Sequence, residues 1–456
     1  MSIEKNTQAQ QFLKSLPYFP LQAKQIEFIC TSTGFKKQII ELIRQAKSRI
    51  YMTLLYWQND EAGQEILDEI YHAKINTPSL DVKIFVDWHR AQRNLLGAEK
   101  NAETNADWYY EQRNKLNELS GENIFFGVPI NTREIFGVLH IKGFVFDDTV
   151  LYSGASINNV YLNQNNKYRF DRYHKITHPA LAESMSNFII EYLFNSDVVR
   201  PLDNQIRTKT KEIRSNIRAF RKYLANNATY SVNNAITEKE QLSISPLFGL
   251  SNKNNQLNTV IENLFDSVQE KLTICTPYFN FPNKLQQSLA NLLESGKKVE
   301  IIVGDKIAND FYVSPSEPFK MASALPYLYE SNLRAFSEKF DAQIKQQQLI
   351  IRTWKDVDNT YHLKGVWVDN HYILLTGNNL NPRAWRLDAE NGLFIYDPKQ
   401  ELLQPVNEEL EAIRKNTVIL GCYTEIEELS QYPEPVQKLL KKFSRLKADK
   451  LVKMIL

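Results

Sequence analysis

LHIKGFVFDD at 139–148 and YHLKGVWVDN at 361–370 are one string written twice. Each holds a His, a Lys two residues on and an Asp five residues beyond the Lys: His140, Lys142 and Asp147, then His362, Lys364 and Asp369. With seven histidines in the chain, simple counting puts the chance expectation at roughly 0.1 such strings. Two of them, about 220 residues apart, mark an internal repeat. Each string has a matching tail. VLYSGASINN supplies Gly154, Ser156 and Asn158; ILLTGNNLN supplies Gly377, Asn379 and Asn381, with the second spacing one residue longer. Strand alternation would set His and Lys on one face, and a turn and second strand would bring the small polar pair alongside.

The repeat extends outward. A helical pattern, QIIELIRQAKSRI, runs into YMTLLYW, and NTVIENLFDSVQEK runs into LTICTPYF. Each is followed by a helical segment and a β-branched run ending at an Asp, VKIFVDW and VEIIVGD. Short apolar runs alternating with helical periodicity predict α/β layering in each half. The polar, Asn-rich stretch around 224–243 marks the division. The expected organisation is a first domain over 1–225, a linker over 226–245, a second domain over 246–432 and a basic amphipathic helix over 433–456.

A length of 456 residues suffices for two ordinary domains, and 43% hydrophobic with 24% charged residues is globular composition. The net charge of +2 excludes little, because a near-neutral total can hide local patches. Cys30, Cys275 and Cys422 lack metal-ligand or disulfide spacing, which fits a reducing compartment. The first residues lack the apolar core of a signal peptide, and no run of about 18 apolar residues occurs. A cytoplasmic protein, peripheral to the inner face of the cytoplasmic membrane, is therefore expected. Two segments carry that reading. The last, PVQKLLKKFSRLKADKLVKMIL, has Val436, Leu439, Leu440, Phe443 and Leu446 at helical spacing among seven Lys and Arg, which suits an anionic membrane surface and equally a helix packed on the body. The apolar PFKMASALPYLYE at 318–330 is either a lipid-contacting element or core. A further basic helix over 206–224 would bury Ile213, Ile217, Phe220 and Leu224 and expose Arg214, Arg218, Arg221 and Lys222; a solvated face is the plainer reading, and phosphate, RNA or ribosome contact the other.

The strings suit phosphoryl chemistry. Two lysines and several amide or hydroxyl donors can hold the oxygens of an anionic phosphodiester. One imidazole can attack phosphorus and form a covalent intermediate, and a second can protonate the leaving oxygen and later deprotonate the acceptor. A lone His in a strand is usually a satisfied core residue, but recurrence of the whole string argues against that here. One His per string lacks metal-ligand spacing, so no metal or cofactor is expected.

The paired strings resemble those of the phospholipase D superfamily over roughly Ile40 to Asp397. That resemblance implies two phospholipase D-like α/β domains, each a mixed sheet flanked by helices, forming a pseudo-two-fold pair around one site. It implies a phosphohistidine route with His140 as nucleophile and His362 as general acid/base. Lys142, Lys364, Asn158 and Asn381 would bind phosphate, helped by Ser156 and Asn379. Asp147 and Asp369 complete the motifs, the other reading being a structural one in which they pair with a neighbouring cation or a turn amide, and Glu390 stands where the family keeps an acid that orients a His; in the first half the nearest acid, Asp171, is slightly offset. More closely, the chain is similar to the phosphatidylserine synthases of Gram-negative bacteria, through VDWHRAQR, NADWYY, GVPINTRE, VLYSGASINNVYL, KLTICTPYFN, KKVEIIVGDK, DNTYHLKG and TGNNLNPRAWRLD. That likeness implies CDP-diacylglycerol and L-serine as substrates and phosphatidylserine and CMP as products. Arg133, Arg172, Arg383 and Arg386 lie near the strings, either to hold the pyrophosphate or serine carboxylate or to pair with Asp171, Asp388 and Glu390. Trp385 and Tyr168 are available to stack on cytosine or to pack. A hydrolase or nuclease with water as acceptor would use the same residues, and a non-catalytic nucleic-acid or ribosome-binding scaffold would rest on the basic helices. The sequence sets no oligomeric state.

Overall fold

The computed structural model describes residues 3–93, 102–115, 122–232 and 240–445. Two sheets, flanked by helices, are built to one plan. The first runs Arg200–Pro201, Phe125–Val128, Asp81–Asp87, Arg49–Thr53, Gly143–Phe146, Thr149–Ser153, Tyr173–Thr177, Ile26–Ile29. The second runs Thr417–Ile419, Leu349–Trp354, Lys298–Gly304, Lys271–Thr276, Gly365–Val368, Tyr372–Thr376, Glu390–Tyr396, Ser243–Gly249 and ends on Phe19–Pro20. In each, three neighbouring strands are parallel and the rest antiparallel, so every position in the first sheet has a counterpart in the second. The β-branched runs VKIFVDW and VEIIVGD form the middle strand of each parallel set and are largely buried, as parallel strands covered on both faces are.

The helix before each central strand, Ser32–Gln45 and Gln256–Asp266, buries one stripe, Phe35, Ile39, Leu42 and Ile43 in the first and Leu257, Val260, Ile261 and Leu264 in the second. Thr31 and Asn255 cap them by accepting the amides of Gly34 and Asn258. The extra residue in the second string is absorbed in the hairpin turn. Residues 147–148 join Phe146 to Thr149, whereas 369–371 join Val368 to Tyr372.

The chain's start differs from a 1–225 unit. Phe19–Pro20 pairs with Ser243–Gly249, and the helix Ile3–Ser15 packs on Gln256–Asp266 through Leu13. Residues 3–20 thus cover the second sheet, because its edge strand and helix offer the apolar face they need. At the other end of the first half, the helix is Arg214–Asn227, starting later than 206. Ile217, Phe220 and Leu224 are buried as predicted. Arg221 is not simply solvated: it donates to the carbonyls of Leu387 at 2.8 Å and Arg386 at 3.1 Å in the second half. Arg214, Arg218 and Lys222 are exposed.

One hydrophobic cluster spans both halves, a second lies in the second sheet's half with the first helix, and a buried ion cluster joins the halves. Arg172 donates from Nε and Nη2 to Glu409, both at 2.8 Å, lies 4.1 Å over Trp367, and shares that carboxylate with His174, whose Nε2 is 2.9 Å from the oxygen that accepts Arg172 Nε. Burial opposes ionisation of Glu409, yet Arg172 and His174 bring it down to about 2. Its stabilising contribution is therefore complete above the ordinary Glu range and is lost as pH falls from about 4.5 toward 2. Glu409→Ala leaves a guanidinium buried without its partner and is expected to cost about 3–5 kcal/mol. Thermal unfolding measures this; a melting temperature unchanged from wild type refutes it.

Candidate active site

Each catalytic string crosses to the other lobe before it enters its own sheet. The His140 amide donates to the Ala389 carbonyl at 2.9 Å, and the His362 amide to the Phe170 carbonyl at 2.8 Å. The next residues are acids, Glu390 and Asp171. The Nδ1 of His140 lies 2.9 Å from Glu390, and the Nδ1 of His362 lies 2.9 Å from Asp171. Sequence reading placed the two acids as near neighbours of the strings within their own halves; the fold exchanges them, because the short bridging segments pair across the interface. His and Lys share an extended segment rather than a strand of the sheet, which begins at Gly143 and Gly365.

The residue after each acid clamps the opposite lysine's backbone. Asn391 accepts the Lys142 amide and donates to its carbonyl, both at 2.8 Å, and Arg172 donates to the Lys364 carbonyl at 3.4 Å. Arg172 is therefore a buried positioning residue, not a substrate contact, and Asn391 is a site residue the sequence reading missed. Its place in the repeat, one past the acid as Arg172 is, was the available signal. Gly154 and Gly377, equivalent in the two tails, leave room for this crossing. A Cβ at Gly154 would sit 2.8 Å from an Asp171 oxygen, and one at Gly377 would sit 2.8 Å from Lys142 Cγ and 3.7 Å from His140 Nδ1.

Asp147 and Asp369 stand at the far end of their strands from the imidazoles. Asp147 accepts the amides of Lys47, Ser48 and Arg49; Asp369 accepts those of Gln269, Glu270 and Lys271. They lock the hairpin to the loop before the central strand and are structural rather than catalytic. Asn158 and Asn381 hold the tails by accepting the amides of Tyr161 and Ala384 at 3.0 and 2.9 Å, and the Asn158 side-chain amide faces Tyr56 and Gln58. Ser156 is buried beside them. The Asn379 Oδ1 is buried without a hydrogen-bond partner among the described residues.

The remaining candidates divide. Arg383 pairs with Asp388 at 2.9 Å and donates to the carbonyls of Glu134 and Ile135, so it anchors the rim loop. Arg133 is exposed on that loop. Trp385 packs in the second core, its carbonyl accepting from Asn258, and Tyr168 bonds Asp356; both are packing residues.

Charge separates the two His–acid pairs. Burial raises Glu390 well above the usual carboxylate range, with Asp388 adding to it. Burial also pushes Asp171 up, but Lys364 and the His362 hydrogen bond outweigh it and hold it below that range. Burial lowers both imidazoles; the lysines add to this, and His362 comes down to about 4. Burial and mutual repulsion bring Lys142 to about 7, and burial brings Lys364 to about 8 despite Asp171. His362 is among the charges acting on His140, and Lys364 on both His140 and Lys142, and Gly377 of the second tail lies against Lys142 and His140, so the two strings are close neighbours. Each imidazole keeps a small accessible edge, 6% and 7% of its residue surface. Tyr161 and Tyr278 flank His362, the Tyr161 hydroxyl 3.0 Å from its Nδ1 and the Tyr278 ring 6.4 Å from its ring.

Two imidazoles, one from each half, each with Nδ1 on a carboxylate of the other half and a lysine alongside, make a phosphoryl-transfer site of the phospholipase D type. A family model described as "Cardiolipin synthase, PLD-like domain" matches residues 261–414. The chain is 68% identical over its full length, and the relative's, to the CDP-diacylglycerol–serine O-phosphatidyltransferase of Haemophilus influenzae. It is 47% identical, over 99% of both chains, to the Escherichia coli protein of that name. It is 23% identical, over 93% of this chain and 95% of the other, to a CDP-diacylglycerol–glycerol-3-phosphate 3-phosphatidyltransferase of Schizosaccharomyces pombe. The crystal structure of the Haemophilus influenzae phosphatidylserine synthase superposes with a TM-score of 0.96 at 67% identity, covering 99% of this chain and 100% of that one. The chain belongs to the bacterial phosphatidylserine synthases of the phospholipase D superfamily.

Proposed function

We propose that this protein transfers the phosphatidyl group of CDP-diacylglycerol to L-serine, releasing CMP, through a phosphatidyl-histidine at residue 140. The observation that carries the chemistry is the pair of Nδ1–carboxylate contacts at 2.9 Å. They favour the Nδ1–H tautomer, which leaves the lone pair on Nε2; at His362 the Lys364 Nζ lies 2.9 Å from that nitrogen. Nε2 of His140 attacks the phosphorus that bears the diacylglycerol oxygen. The bond to CMP breaks, and His362 supplies a proton to the departing oxygen. The serine hydroxyl then attacks the same phosphorus, its proton passing to His362 Nε2 as the P–N bond breaks and His140 is restored. The anionic Asp171 supports an imidazolium at His362 better than the neutral-leaning Glu390 supports one at His140, which suits His362 to acid/base work and His140 to attack. Lys142 and Lys364 neutralise the phosphate, whose negative charge favours their protonated forms, with Asn158, Asn381, Ser156 and Asn379 around it.

The deciding assay incubates labelled CDP-diacylglycerol in detergent with and without L-serine. Serine-dependent phosphatidylserine with stoichiometric CMP is expected. Phosphatidic acid regardless of serine would make the protein a hydrolase, and no turnover at all would return the basic-surface, RNA-binding reading.

A membrane substrate needs a membrane-facing side. No helix among the described residues is long and apolar enough to cross a bilayer. The helix Glu434–Arg445 packs Val436, Leu439 and Leu440 against Ala324, Tyr327 and Tyr432 and exposes Lys438, Lys441 and Lys442; residues 446–456 lie outside the described residues. The segment it leans on carries Phe319, 42% exposed, and Met321, 72% exposed. We assign this face to the inner surface of the cytoplasmic membrane. Lys441→Glu with Lys442→Glu is expected to weaken sedimentation with anionic vesicles about tenfold or more at low salt; equal, salt-insensitive binding to zwitterionic vesicles would remove the assignment.

A further inference from the structure

The mechanism above gives every group at phosphorus a role but leaves the acceptor's two charges without partners. L-Serine carries an ammonium and a carboxylate on the carbon next to its reacting CH2OH group. Its hydroxyl must reach His362 Nε2, so the two charged groups must find opposite charges within a few ångströms of that ring.

Such a pair exists on the His362 side. Arg169 lies two residues before Asp171, on the Arg169–Phe170 strand that bridges to Thr360–Tyr361. Its guanidinium sits 5.0 Å over the Tyr161 ring, and Tyr161 bonds His362. Facing it is Asp310, whose Oδ1 accepts the Tyr278 hydroxyl at 2.7 Å, and Tyr278 is the other ring flanking His362. The two charges are thus each one tyrosine away from the imidazole. They are 3.6 Å apart, attracted but beyond ordinary hydrogen-bond length. Their side chains keep 14% and 22% exposure, so both are desolvated enough to bind strongly and open enough to be reached. Around His140 the cations Lys142, Lys364 and Arg383 are the nearby charges that act on the ring, with Glu390 on its Nδ1 and Asp388 already holding Arg383 at 2.9 Å, a setting that suits the diphosphate donor.

We propose that Arg169 and Asp310 form the acceptor subsite, Arg169 taking the α-carboxylate of serine and Asp310 its α-ammonium, with Tyr161 and Tyr278 as walls. Resting on the serine-transfer reading, the assignment makes this pair the determinant that separates an amino-acid acceptor from other alcohols. The planar guanidinium offers the carboxylate two parallel N–H donors, and the zwitterion replaces a loose ion pair with two tighter ones.

The test uses the full chain, Arg169→Gln and Asp310→Asn, and three acceptors: L-serine, ethanolamine, which lacks the carboxylate, and 3-hydroxypropionate, which lacks the amine. The analogues are read as slow acceptors or as inhibitors competing with serine. R169Q is expected to raise KM for serine roughly 10- to 100-fold, the loss of one charge-assisted contact, while leaving the apparent affinity for ethanolamine nearly unchanged. D310N should do the same for serine and spare 3-hydroxypropionate. The serine-independent exchange of CMP with CDP-diacylglycerol, which never uses the acceptor pocket, should change far less than serine transfer in both. Arg169→Lys, which keeps the charge but not the fork, covers the case in which R169Q does not fold. Equal losses for all three acceptors, or exchange reduced as much as serine transfer, overturns the proposal and assigns the pair to structure or to the nucleotide. Failure of wild type to make phosphatidylserine at all is a different result and strikes the catalytic reading instead.

Discussion

His140→Ala is expected to abolish phosphatidylserine formation and CMP–CDP-diacylglycerol exchange together, each by about 10^4-fold or more. Exchange reports the first half-reaction alone, so its loss locates the defect in formation of the covalent intermediate. His362→Ala should be nearly as damaging with CDP-diacylglycerol, because a leaving oxygen then departs without its proton. The two variants part company on a phosphatidyl ester whose leaving group needs no proton. There His362→Ala should still load His140 and accumulate a labelled protein, acid-labile and alkali-stable as a P–N bond is, since the base for the second step is missing. His140→Ala should not label. Substantial exchange by His140→Ala, or label at residue 362, reverses the assignment of roles.

The crossed acids carry the second large effect. Asp171→Asn and Glu390→Gln keep shape and volume but replace the carboxyl group facing each Nδ1 with an amide that can present N–H to the imidazole. The ring facing that amide is driven to the wrong tautomer, with its proton on Nε2, and activity is expected to fall about 10^2- to 10^4-fold. Both acids are buried against the opposite lobe, so each variant disables the histidine of the other half. In a double-mutant series, Asp171→Asn should add little to His362→Ala, and Glu390→Gln little to His140→Ala. Additivity of Asp171→Asn with His362→Ala but not with His140→Ala would show that the pairing is not the crossed one described here. Melting temperature serves as the control, since loss of fold would lower all activities without regard to pairing.

Much of the molecule was legible in the chain itself. The repeat, the two layers of β-branched strands, the preceding amphipathic helices and the His–Lys pairs follow from periodicity and spacing, which are local. The motif acids were only partly so, since their motif placed Asp147 and Asp369 with the catalytic groups and a turn role was the other reading. Asp147 and Asp369 sit at fixed spacing in the strings, yet they serve hairpin turns. Asp171 and Glu390, without a tight spacing, serve the histidines. Spacing records where a residue lies along a strand, and catalytic contact here depends on which end of the strand faces the other lobe. Arg172 misled for the same reason. Its neighbours in sequence suggested a phosphate or carboxylate ligand, whereas Glu409, 237 residues away, takes its guanidinium.

The sequence by itself determined that there are two equivalent half-sites and which imidazoles and lysines they hold, because hydrophobic period and motif repetition are properties of short segments. Only the tertiary structure decided that the half-sites exchange their acids, that Asn391 and Arg172 clamp the opposing lysines, and that Arg169 and Asp310 meet beside His362. Those contacts join residues up to 250 positions apart, and a one-dimensional pattern carries no signal for pairs brought together only when two sheets pack face to face.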